Sequence, residues 1–399
     1  METASKKLET GNRKLETSNQ TSADRTNLAG KDTRFHFLVS IFCFLVCSIL
    51  TPTLFPGAVA PDPGSAEALI ETSHWKRARA ILAPRVAANP RDARGLWLLS
   101  QIKLAFGDLD GALDSAQQAV GLDDRNSEYH FQLAQVYGEM AARASMFTAA
   151  ILARKFKGEL DASLALDPNN LDALDALMQY SFQAPFLMGG SKEKARAIAE
   201  KLVQLSPVRG YLAQAELAQE AKDSAKAEEN LLKAVQVDPK NYEAQTALAA
   251  FYTQPPHRNT GLAERHAREA VQLDPARTKG YSILATGLAL DRRWSELEEL
   301  LSASENTVPD DLSPYFEAAN VLLQSGVELK RGEAFLRKYL AQEPEGGEPD
   351  AAHAHRLLGL ILDKEGRTAA AVSELETAVQ LNPRFAAAKQ DLDRVQRTR

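Results

Sequence analysis

The sequence predicts an all-α fold, a solenoid of about nine helical hairpins that ends in a capping helix. Three observations predict it. The chain resembles itself at a period near 34 residues, a proline closes almost every unit, and small residues recur at fixed distances from that proline. Two antiparallel helices approach closely only where side chains are small, and proline stops a helix because its ring removes a donor and clashes with the preceding turn.

Taken in order, residues 1–34 are polar and contain a near-duplication, Lys7-Leu8-Glu9-Thr10 and Lys14-Leu15-Glu16-Thr17. They hold too little apolar area to offset the entropy of ordering, which predicts disorder. The other reading is that translation begins downstream and this stretch is not made.

Residues 35–60 follow Lys31 and Arg34, run apolar from Phe35 to Leu50, and end in Ala58-Val59-Ala60. Basic flank, apolar stretch and small-x-small site are the three parts of a secretory signal. Pro61 stands directly after that site, where proline is poorly accepted, so cleaved signal peptide and uncleaved membrane anchor both stay open. In either case the basic flank stays cytoplasmic and the rest of the chain is expected outside the cytoplasm, periplasmic or membrane-anchored. Residues 61–64 are a linker.

The repeat array spans residues 65–383. Its closing positions are Pro90, Asp124 (in the proline's place), Pro168, Pro207, Pro239, Pro275, Pro309, Pro344 and Pro383, at spacings of 32 to 44 residues. Twelve residues before them lie Ala78, Ala112, Ala195, Ala227, Ala263 and Ala371, with Gly332 in the same place. Five before come Ala119, Ala234, Ala270 and Ala378, and ten beyond come Ser100, Ala134, Ala249 and Ala285. Phe156 and Leu297 break the first of these patterns, and Arg85 and Ser304 the second. The unit ending at Pro168 carries about ten extra residues, which predicts longer helices there. Two further insertions, Phe182–Ser191 and Glu345–Pro349, read as a hydrophobic hairpin loop and a polar loop. Residues 384–399 read as the capping helix with a charged outer face.

This pattern resembles the tetratricopeptide repeat family over about residues 65–383. The resemblance implies a right-handed superhelix of helix pairs whose first helices build a concave binding face. Counted along those first helices, the residues that should face inward are Arg94, Trp97, Gln101, Glu128, Phe131, Gln135, Asp172, Asp175, Gln179, Glu243, Thr246, Lys279, Ser282 and Arg356. Trp97 and Phe131 are the expected anchors, because aromatics carry a disproportionate share of interface energy. The Lys/Asn/Arg clamp by which some members hold a peptide carboxylate has no match in this lining.

Other chemistry is thinly represented. Net charge is −6 with Lys and Arg scattered, which argues against nucleic acid. The two cysteines, Cys43 and Cys47, lie in the apolar run, so the body has no disulfide framework, thiolate zinc site or cysteine nucleophile. Gly189-Gly190-Ser191-Lys192 lacks P-loop spacing and reads as a turn with Ser191 as N-cap. His353 and His355 would point to different faces of a helix, a poor metal geometry. No cofactor is expected. The function expected is that of a non-enzymatic scaffold or adaptor for a protein or extended peptide, on the outer side of a bacterial-type membrane. The second reading is a ligand- or polymer-binding subunit of an envelope transport or assembly machine.

Overall fold

The computed structural model describes residues 65–347 and 349–397. The disordered N-terminus, the signal or anchor segment and the linker expected over residues 1–64 lie outside the described residues. Among the described residues there are nineteen α-helices and one 3-10 turn, Phe186–Met188. None of these helices is long and apolar enough to cross a membrane.

The helices pair as α1 (Ala66–Glu71) with α2 (Trp75–Ala88), α3 (Ala93–Ala105) with α4 (Leu109–Leu122), and α5 (Ser127–Ala142) with α6 (Met146–Leu166). Next come α7 (Leu171–Gln183) with α8 (Lys192–Leu205), α9 (Pro207–Glu220) with α10 (Ser224–Val237), and α11 (Tyr242–Phe251) with α12 (Thr260–Leu273). The last pairs are α13 (Thr278–Leu290) with α14 (Trp294–Thr307), α15 (Ser313–Ser325) with α16 (Leu329–Tyr339), and α17 (Ala351–Lys364) with α18 (Thr368–Leu381). A final helix, α19 (Ala386–Arg397), covers the open end. This is the α-solenoid of nine hairpins and a cap that the spacing predicts.

The closing positions have a mechanical basis. Asp238 donates its amide to the Ala234 carbonyl (3.2 Å), which ends α10, and its side chain accepts from the Lys240 amide (3.0 Å). Asn241 then caps α11 by accepting from the Ala244 amide (2.9 Å). Asp274 after Ala270 and Asn382 after Ala378 repeat the arrangement. Inside the hairpins the first helix ends on a left-handed residue: Ser73, Gly107, Lys222, Arg292 or Gly366. Gly107 donates to the Leu104 carbonyl (3.0 Å) and Asp108 to that of Lys103 (2.9 Å), the pair of bonds that closes a helix through a left-handed residue.

The recurrent small residues Ala78, Ala112, Ala195, Ala227, Ala263 and Ala371 are all buried at helix contacts. At the contact of α17 with α18, a Cβ added to Gly359 would meet Leu375 Cγ at 2.8 Å. Phe156 occupies a small-residue position, and the partner helix compensates with Gly138, where a Cβ would stand 3.2 Å from the Phe156 ring. The extra residues of that unit lengthen its helices, to 16 residues in α5 and 21 in α6. The insertion after α7 forms the 3-10 turn, tied by Tyr180 Oη donating to the Met188 carbonyl (2.6 Å), and leaves Phe186 and Leu187 87% and 95% exposed.

Consecutive first helices touch, as α3 with α5, α11 with α13 and α15 with α17, whereas consecutive second helices have no comparable contact. The layer of first helices therefore lies on the concave side. The curvature brings the start of the array against its end. Gly347 donates to the Ala105 carbonyl (2.6 Å), and Gly346 packs on Trp75 and Ala105 so closely that a Cβ would stand 3.0 to 3.2 Å from them. Glu345 accepts from the Lys76 amide (2.6 Å), Arg79 pairs with Glu343 (2.6 Å), and Arg384 donates to the Arg143 carbonyl (2.5 Å). Residues 345–347 of this insertion thus join the end of the superhelix to its start.

Candidate functional site: an acidic strip on the concave face

All fourteen residues expected to face inward lie on first helices, but they do different things. Phe131 is only 5% exposed and belongs to a core shared with α7 and α9. Gln101 and Thr246 are likewise buried. Trp97 is half-buried, its ring centroid 6.0 Å from that of Tyr129. The aromatic anchors expected on the groove are thus taken up by packing between neighbouring hairpins, fully at Phe131 and in part at Trp97. A first helix touches two neighbours as well as the groove, so little more than one stripe of it is free to meet a ligand.

Several of the remaining charges are neutralised within the fold. Arg94 pairs with Glu67 (3.0 Å), and Arg356 with Asp391 of the cap (2.7 Å). Glu243 holds Arg277 in a close ion pair and Lys279 at 3.4 Å, and Arg277 lies 4.0 Å above the Tyr242 ring. Burial raises the Glu243 carboxyl, but Lys279 and Arg277 outweigh it and hold the group below its ordinary value. Gln135 and Ser282 are half-buried on α5 and α13.

Three successive first helices are different. Helix α5 contributes Glu128, α7 contributes Asp172, Asp175 and Gln179, and α9 contributes Arg209 and Glu216. Arg209 makes a close bond to Asp172 and lies 4.0 Å from Asp175. Gln179 Nε2 donates to Glu216 Oε2 (3.2 Å). Asn170, the buried N-cap of α7, donates to Glu128 Oε1 (3.0 Å) and to Ser127 Oγ (2.9 Å), locking α5 to α7. Helix α9 starts at Pro207 without a connecting loop and packs on α8 through Gly210, whose added Cβ would fall 2.2 Å from the Val203 amide nitrogen. That close approach fixes Arg209 against the α7 carboxylates.

The strip therefore sets four carboxylates against the one guanidinium of Arg209. Burial, with Asp172 and Asp167 nearby, raises Glu128 to about 7. Burial also pushes Asp175 above the carboxylate range despite the pull of Arg209, and raises Glu216, which Asp175 raises further. A buried carboxylate short of cations favours its protonated form. Two acceptor atoms one helical turn apart, Asp175 Oδ1 and Gln179 Oε1, are buried without a hydrogen-bond partner. Sequence reasoning missed Arg209 and Glu216. No inward residue is taken from α9, which begins at the closing proline itself.

The two histidines on α17 are each held by a separate carboxylate, His353 by Asp350 (2.8 Å) and His355 by Glu374 (2.7 Å). Among the described residues no three metal-ligating side chains come together.

The geometry defines a class first: a helical-repeat solenoid with a polar concave face. Residues 208–241 and 352–385 match the tetratricopeptide repeat model, and they coincide with α9–α10 and α17–α18 with the turn that follows each pair. The chain therefore carries tetratricopeptide repeats. No curated protein matches its sequence. Among solved structures it is similar to yeast Tom70, at 13% identity over 84% of this chain and 87% of that one, with a TM-score of 0.48. It is also similar to a tetratricopeptide repeat protein from Parabacteroides merdae, at 17% identity over 65% and 98% of the two chains, with a TM-score of 0.43. A third, from Thermus thermophilus, has 18% identity over 47% and 96%, with a TM-score of 0.42. At these scores the likeness carries no argument, and the assignment rests on the two matched repeats.

Proposed function

We propose that this protein is a non-enzymatic scaffold that holds an extended segment of a partner protein along its concave face, on the outer side of a bacterial-type membrane. The protein-binding part of this reading is supported by its repeats, since tetratricopeptide arrays are interaction modules. The observation that carries the choice of surface is the strip over α5, α7 and α9, where polar groups converge without full internal pairing. Buried polar groups left unsatisfied are costly to a fold, and a ligand that completes them recovers that cost on binding. The placement outside the cytoplasm is supported by the basic flank, the apolar run and the Ala58-Val59-Ala60 site of residues 35–60.

Site-specific photo-crosslinkers in living cells test the surface. Placed at Gln135 and Ser282 on the first helices, they are expected to capture a partner. At Leu232 on α10, an exposed position of the second-helix layer, they are expected to capture none. Equal capture from both layers would overturn the concave assignment. For topology, an enzyme reporter active only outside the cytoplasm, fused after Arg399, is expected to be active; an inactive, stably expressed fusion would sink the export reading.

A further inference from the structure

We infer that the strip formed by Glu128, Asp175, Gln179 and Glu216 is a subsite for a cationic side chain, lysine or arginine, of the segment held in the groove. This rests on the scaffold reading above and specifies what the scaffold selects.

The inference stands on charge and geometry together. In the second half of the array the cations named above have carboxylate partners: Arg277 and Lys279 share Glu243, and Arg356 has Asp391. Over α5, α7 and α9 the balance is reversed. Asp172 takes the close bond of Arg209, and Asp175, Glu128 and Glu216 are left with far less positive charge than they could accept. Glu220, on the same helix as Glu216, adds to the repulsion there.

The second observation is independent of charge. Gln179 is only 3% exposed, and its amide sits in the cluster, because Nε2 donates to Glu216; its Oε1 has no partner. One turn earlier on the same face, Asp175 Oδ1 is also unpartnered, although the Asp175 side chain keeps 16% of its surface open to the groove. What is missing at this place is hydrogen-bond donors, not acceptors. A lysine ammonium brings three donors and a charge, and an arginine guanidinium five. A peptide carboxylate, a phosphate or an acidic segment would bring more acceptors to a site already crowded with them.

The carboxyls behave as such a site requires. Without a ligand, burial favours the protonated forms of Glu128 and Glu216 near neutral pH. A cation seated among them stabilises the ionised forms, so binding releases protons into solution. The groups facing this exchange are Glu128, Asp167, Asp172, Asp175, Arg209, Glu216 and Glu220.

The test uses the full chain and two labelled ten-residue probes, one alternating lysine with glycine and one alternating glutamate with glycine, followed by fluorescence anisotropy. The lysine probe is expected to bind at least tenfold more tightly than the glutamate probe, and acetylation of its lysines is expected to remove that preference. Asp175→Asn with Glu216→Gln is expected to weaken the lysine probe at least tenfold. Asp124→Asn with Glu299→Gln, which removes as much charge at exposed positions elsewhere, is expected to change it less than twofold. The first pair replaces carboxyls with neutral isosteres, so its melting temperature is expected to stay at or above that of the parent protein, separating lost binding from lost folding. Titration calorimetry at pH 7 in buffers of different ionisation enthalpy is expected to show net proton release.

Equal affinity for both probes, or an unaffected Asp175→Asn/Glu216→Gln protein, overturns the cation subsite. If that happens while the crosslinkers at Gln135 and Ser282 still capture a partner, the scaffold reading stands without it. If those crosslinkers capture nothing, the scaffold reading fails as well.

Discussion

Arg77 Nη2 lies 2.5 Å from Asp310 Oδ1, an ion pair between residues 233 positions apart in the chain. Arg77 lies on α2 and Asp310 in the turn between α14 and α15, and only the curvature of the whole array brings them together. Lys76 reinforces the contact through a close bond from its ammonium to the Asp310 carbonyl, and His74 Nδ1 lies 3.6 Å from the same carboxylate. Repeat arrays are ordinarily stabilised between nearest neighbours. Here a non-neighbour contact constrains curvature, and with it the width of the groove that a ligand meets.

Gly346 is where this contact is most sensitive to shape. A valine there would place a branched side chain against Trp75 and Ala105, which stand 3.0 to 3.2 Å from a bare Cβ. Gly346→Val is expected to cost about 1–3 kcal/mol, as overpacking does. It is also expected to raise the radius of gyration in small-angle scattering, because the start of the array would part from its end. An unchanged scattering curve would show that the contact does not set the curvature.

The Arg79–Glu343 pair at the same junction should matter much less. Its side chains are 39% and 53% exposed, and solvent screens such pairs to a few tenths of a kcal/mol, up to about 1. Arg79→Ala is therefore expected to move the urea midpoint only slightly, with part of any loss due to the stacking of Arg79 over Phe106 at 4.1 Å. A loss above about 2 kcal/mol would contradict this view of the junction.

The acidic strip predicts a pH dependence of stability. Glu128 has its carboxyl raised from 4.5 to about 7 in the folded chain, first by burial and then by neighbouring Asp172 and Asp167. A group with a raised folded value favours folding below its unfolded value, and that contribution is lost as pH rises through the folded one. Stability is therefore expected to fall between about pH 4.5 and pH 7 from this group. Glu128→Gln keeps an oxygen for Asn170 and is expected to flatten that slope, gaining about 1–2 kcal/mol at pH 8 after allowance for partial exposure. Parallel melting curves of the two proteins from pH 4.5 to 8 check it.

How much of this was legible in the sequence depends on which contact a residue makes. Ala234, Asp238 and Pro239 were readable because their roles are local: a carbonyl four residues back, an amide two residues on, a ring that stops a helix. Phe131 was misread as an anchor because helical periodicity gives a direction and cannot say that the neighbouring hairpin already fills it. Arg209 and Glu216 escaped because no inward residue is read on α9, whose closing proline is also its first helical residue. The contact between Gly346 and Trp75 had no signal at all, since it arises from small rotations summed over the array.

The left-handed turn residues offer a gain. Arg292 adopts φ +58 at the end of α13 and is exposed. A side chain in that region costs roughly 1–2 kcal/mol that glycine avoids, less the entropy glycine loses on folding. Gly107 and Gly366 already fill equivalent turns. Arg292→Gly is expected to stabilise the protein by about 0.5–1 kcal/mol, seen as a higher urea midpoint with an unchanged slope.

Leu297 makes the opposite argument, because the repeat pattern would place alanine there. Alanine twelve residues before the closing position is what six of the other eight units show, so a consensus view expects Leu297→Ala to be neutral or favourable. The structure says otherwise: Leu297 is fully buried and packs in one core with Leu301, Phe316 and Leu322. The surrounding helices are spaced for leucine, and removing three carbons leaves a cavity as well as lost apolar burial. The expected cost is about 2–4 kcal/mol. Because an array couples mainly neighbour to neighbour, the loss should appear as faster amide hydrogen exchange in α13, α14 and α15, with α3 and α4 unchanged. Exchange that rose uniformly along the chain would mean that the contact of Arg77 with Asp310 transmits the damage around the superhelix.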